Sequence, residues 1–146
     1  SKISTIYDLL VTAIEGQLSG YRRLPNPYDI FDNPAMILRK GYGIRVNDGE
    51  NTQRYIGCLT TWARSFDIIL TKQVVNTDSD AVGRASIEKG LLEAHHLLLT
   101  MFEGDPTLGA NDIKAIVSVD GGIEYLAEQD SKYLALVINL NVEYQE

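Results

Sequence analysis

Apolar positions along the chain change period several times, and each change marks an element. In "SKISTIYDLLVTAIEGQLSG", Ile3, Ile6, Tyr7, Leu10, Ile14 and Leu18 recur at helical spacing, with Ser1 or Ser4 available as a cap and Gly20 as a stop. This predicts an amphipathic first helix. Three of the four prolines then fall in "YRRLPNPYDIFDNPAM", at Pro25, Pro27 and Pro34, which excludes a continuous helix or central strand there. The stretch reads as a loop, yet Tyr21, Tyr28, Ile30 and Phe31 give it more large apolar groups than a floppy linker carries. Arg22 and Arg23 are read as surface residues, with an anion site as the sharper alternative.

From Gly41 the period is two. Tyr42, Ile44 and Val46 alternate with Gly43, Arg45 and Asn47, and Asp48-Gly49 has the chemistry of a hairpin turn, so a partner strand is expected from about Gln53. Gly57 suits a bulge or break before "LTTWARSFDIILTKQVV". There Trp62, Phe66, Ile68 and Leu70 share a face that has Arg64 in its middle. Thr61, Ala63, Ser65, Asp67 and Thr71 make a small polar face opposite. One covered face and one wet or partner-facing face follow.

Thr77 and Asp80 stand as a variant capping box before a helix expected over about 78–103, roughly 39 Å long at 1.5 Å per residue. Ile87, Leu91, Ala94, Leu98 and Met101 form one apolar stripe, and Ala81, Ala85, Leu92 and Leu99 a second. Two stripes call for two partners. The second is either the first helix of the same chain or another subunit. Beyond "GDPTLGAND", turn signals at Asp120-Gly121-Gly122 and "EQDS" predict three antiparallel strands in a meander.

The last strand, "KYLALVINLNVEYQE", keeps Leu134, Leu136, Ile138, Leu140, Val142 and Tyr144 on one face. Its other face passes from Tyr133, Ala135 and Val137 to Asn139, Asn141 and Glu143. Its first half should be buried on both sides and its second half on one. At about 43 Å it is longer than its predicted neighbours, so its distal half is expected to lack a partner within the chain and to invite another chain. Taken together these elements predict an α+β fold, a mainly antiparallel sheet packed against one long helix and an N-terminal amphipathic helix, in a single domain over 1–146.

Composition narrows the partners. The chain has 146 residues, 45% of them hydrophobic, and 20 acidic against 13 basic residues give a net charge of −7. The scattered cations disfavour binding to nucleic-acid phosphates. A lone Cys58 fits a reducing compartment and is read as a small buried hydrophobe, and no apolar run approaches the roughly 18 residues of a membrane span. With no signal peptide at its start, the chain is expected to be soluble and intracellular.

Catalytic templates find little purchase. The chain has no G-x-S-x-G, no phosphate loop ending in Lys-Ser/Thr, no H-E-x-x-H and no C-x-x-C. His95 and His96 are neighbours on a helix, so their rings diverge by about 100°. Asn76, Asp78 and Asp80 imitate the start of a calcium loop, but Ala81 and Ile87 stand where that loop needs Gly and Glu. No cofactor, metal site or enzymatic activity is expected.

The order of elements, with the phrases "GYGIRV", "WARSFDIILTKQVV" and "LALVINLNVEYQE", resembles the tail-terminator, or tail-completion, proteins of long-tailed bacteriophages over nearly the whole chain. That resemblance implies an α/β protomer forming a ring, usually a homohexamer, at the head-proximal end of the tail tube. Such a ring is a structural part of the virion, assembled in the host cytoplasm, that stops tube growth and offers the neck its attachment surface. Its implied partners are itself, the tail-tube protein and a neck or head-completion protein, with DNA passing through the lumen without specific binding and no membrane contact.

A ring needs contacts between unlike patches. Ala81, Ala85, Leu92, Leu99, Asn139, Asn141 and Glu143 are the candidates for subunit contact. Asp48, Glu50 and Asn51 in "NDGENTQ", and Asp105, Asn111 and Asp112 in "GDPTLGAND", are the docking-loop candidates. Two alternatives stand beside this reading: a neck or head-completion protein on the portal side, and a small intracellular enzyme or ligand-binding domain with a pocket near Arg64 and His95.

Overall fold

The computed structural model describes residues 2–24, 40–54, 60–73, 81–105, 113–120 and 133–145. They form an α+β arrangement of α1 (Lys2–Gln17), β1 (Arg22–Arg23), β2 (Lys40–Arg54), β3 (Thr60–Gln73), α2 (Ala81–Gly104), β4 (Ile113–Asp120) and β5 (Tyr133–Gln145). The strands lie in one sheet in the order β1-β2-β3-β5-β4. Three pairings are antiparallel, and β1 lies parallel to β2.

Alternation decides which face each strand turns to the helices. Tyr42 and Ile44 of β2, Phe66, Ile68 and Leu70 of β3, and Leu136, Ile138, Leu140, Val142 and Tyr144 of β5 are buried in one cluster. With them are Ile6, Leu10, Ile14 and Leu18 of α1 and Ile87, Leu91, Ala94, Leu98 and Phe102 of α2. Both helices therefore contribute to the core on the same face of the sheet. Burying each such side chain is worth about 1.5–3 kcal/mol, so this interface is the main source of stability. The first stripe of α2 points as its spacing predicts, except that the buried residue of its last turn is Phe102, while Met101 is only partly covered.

The second stripe is partly accounted for within the chain. Leu92 and Leu99 pack, half-buried, against the same cluster, whereas Ala85 is exposed and Ala81 is the first residue of α2.

Several expectations need correction. Asp48-Gly49 is no hairpin turn: β2 runs straight through it to Arg54, and Gln53 belongs to β2, facing Thr61. Between the pairs Val46↔Phe66 and Gly49↔Arg64, β2 advances three residues while β3 retreats two, and a second extra residue enters between Asn51 and Gln53. These are bulges. They insert residues in one strand and leave the pairing intact beyond them. Asp48, Glu50 and Asn51, expected in a docking loop, are thus strand residues.

The last strand is also not an edge. β5 pairs with β3 from Tyr133 to Gln145, and with β4 from Asn139 to Tyr144, so its distal half is the half held on both sides. The backbone route by which Asn139, Asn141 and Glu143 were expected to meet a neighbour is closed. The burial expected of β5 holds in part: Ala135 and Leu136 are both buried but Val137 is half-exposed, and beyond it Asn139, Asn141 and Glu143 are half-exposed between buried Leu140, Val142 and Tyr144.

β1 has no counterpart in the sequence reading, which placed Arg22 and Arg23 in a loop. Their backbone pairs with Gly41 and Tyr42, and Leu24 N–H continues the contact to Tyr42 O at 2.7 Å. Both side chains are exposed. Ser4 lies within α1 and does not cap it. The prolines of the loop, Gly57, Cys58, the capping residues 77–80, Asn111, Asp112 and the middle strand of the meander fall outside the described residues.

Candidate functional site

The face of the sheet turned away from the helices divides in two. At one end the chain closes over it: Gly41, Gly43, Ile69, Thr71 and Ala135 are buried. Leu24 lies close above Gly41, where an added methyl group would stand 2.7 Å from Leu24 Cδ2 and from Thr71 Oγ1. Only glycine fits at such an approach. Thr71 Oγ1 also donates to Gly41 O at 3.3 Å.

At the other end the face is polar and hydrogen-bonded across three strands. Arg45 Nη2 of β2 donates to Asp67 Oδ2 of β3 at 3.3 Å. Asn139 Nδ2 of β5 donates to Asp67 Oδ1 at 2.8 Å and to Ser65 Oγ at 2.7 Å. Asn47 Nδ2 of β2 reaches the same Ser65 Oγ at 3.3 Å. Period two puts these residues together: Arg45 faces Asp67, and Asp67 faces Asn139, in direct register. The ion pair is only partly exposed, at 25% and 17% for its two side chains, so water screens it less than a surface pair. Asn141 and Glu143 extend the row along β5 opposite Ser65 and Ala63.

This arrangement fixes side chains of three strands relative to one another. Ser65 Oγ accepts from two amides, whereas a nucleophilic serine needs a base to take its proton. The two histidines of the chain are both on α2, in the helix layer on the opposite face. His95 is buried there, and His96 is exposed.

Arg64, unexplained on an apolar face from sequence, has a structural task. Its Nη1 donates to Asn47 O at 3.3 Å, beside the first bulge of β2. A bulge removes backbone groups from the ladder, and buried carbonyls need partners. The expected pocket around Arg64 and His95 finds no support in this bonding.

Of the subunit-contact candidates, the fold brings Asn139, Asn141 and Glu143 together on the outer face. Leu92, Leu99 and Ala85 lie apart from them on α2. Asp105 ends α2, exposed, with its N–H donating to Met101 O at 2.9 Å. The sequence reading passed over Arg45 and Asn47, although their alternation with Tyr42, Ile44 and Val46 already put them beside Asp67 and Ser65.

On the helix side, Tyr42 is buried and donates from its hydroxyl to Glu15 Oε1 of α1 at 2.5 Å. Burial, and then the hydrogen bond and charge of Glu15, push the phenol well above the usual tyrosine range. No helix among the described residues is long and apolar enough to cross a membrane. No protein-family model matches the chain, and no characterised protein is similar enough in sequence to stand as a relative.

Proposed function

We propose that this chain is a structural ring subunit of a phage tail, closing the head-proximal end of the tail tube and offering the neck its attachment surface. The observation that carries this reading is the two-sidedness of the sheet. Both described helices cover one face, and the other face bears, among the described residues, a fixed row of amides and charges. A rigid sheet with a polar outer row suits a surface that meets other protein or lines a passage, where position matters more than chemistry.

The order of elements supports the same reading, since it is the order on which the resemblance to tail terminators rests: helix, two long strands, long helix, two strands. In this reading the protomer is a sheet backed by α2 and α1, and six copies close head to tail. Each copy carries −7, so a lumen lined by part of that charge repels phosphates and lets DNA slide, within a screening distance of about 8–10 Å. The chain acts without a cofactor and without catalysis.

The test is capping. Purified chain added to a polymerising tail-tube protein should stop tubes at fixed length and appear as an extra disc at one tube end in electron micrographs. Tubes that grow unchanged and carry no disc refute the role.

A further inference from the structure

We draw no further inference here: the strongest candidate, the exposed cationic corner of the sheet where Arg22 and Arg23 of β1 pair with β2 next to Lys40, carries nothing, because nothing in the structure shows what covers it.

Discussion

Asn139 Nδ2 of β5 stands 2.8 Å from Asp67 Oδ1 of β3, the same carboxylate that pairs with Arg45 of β2. One amide thus links β5 to β3 through its side chain as well as its backbone, and the same nitrogen serves Ser65. Asn139→Leu removes both bonds and leaves a half-buried carboxylate with one donor fewer. A loss of about 1–2 kcal/mol is expected in urea unfolding. Asn139→Asp should cost more at pH 7, because it sets a carboxylate against Asp67. A change below about 0.3 kcal/mol for both variants would show that the row is a solvated surface with no structural role.

Tyr42 and Glu15 predict a pH dependence with a definite sign. The Tyr42 phenol is held above its ordinary value of about 10 in the folded chain, by burial first and Glu15 second. Its contribution to stability is fully present below pH 10. Above it the unfolded chain releases the proton first, and stability falls as pH rises toward the folded value. Tyr42→Phe should cost about 1–2 kcal/mol at pH 8 through the lost hydrogen bond, and should lose less than the parent between pH 9 and pH 11. Parallel curves for the two proteins over that interval would contradict the assignment.

Two glycines should respond in opposite directions to the same substitution. Gly41→Ala drives a methyl group to 2.7 Å from Leu24 Cδ2 and Thr71 Oγ1, both in buried residues, and should destabilise by about 1–3 kcal/mol. Gly90→Ala meets only the far end of Lys72, which can swing aside, and gains helix propensity of up to about 1 kcal/mol. Unfolding midpoints moving down for the first and level or up for the second are expected. The reverse order would mean that the fit of Leu24 over the sheet is misread.

How much of this was legible in the residues alone depended on the length of each pattern. The helix and strand faces could be read because a core imposes a period on many residues at once, as Phe66, Ile68 and Leu70 or Ile87, Leu91 and Leu98 show. Asp48-Gly49 misled because the turn chemistry is local, and it competes with a partner strand of 14 residues that can pair on either side of a bulge. The pairing of β5 was missed for a related reason: strand length is visible in a sequence, but strand order is not, and β4 comes to lie against the distal half. β1 was invisible because two residues carry no period. The polar row was half seen. Asn139, Asn141 and Glu143 were singled out, but for an edge that does not exist, while the cross-strand partners that bind Asn139 emerge only once the register is known.

The central claim is that copies of this chain close on one another, and sedimentation or light scattering across a range of concentrations addresses it most directly. The ring reading predicts one closed species of constant mass well above a dimer, six copies being the expected number, that does not grow further with concentration. A chain that stays monomeric throughout, or that extends without limit into filaments, would contradict it.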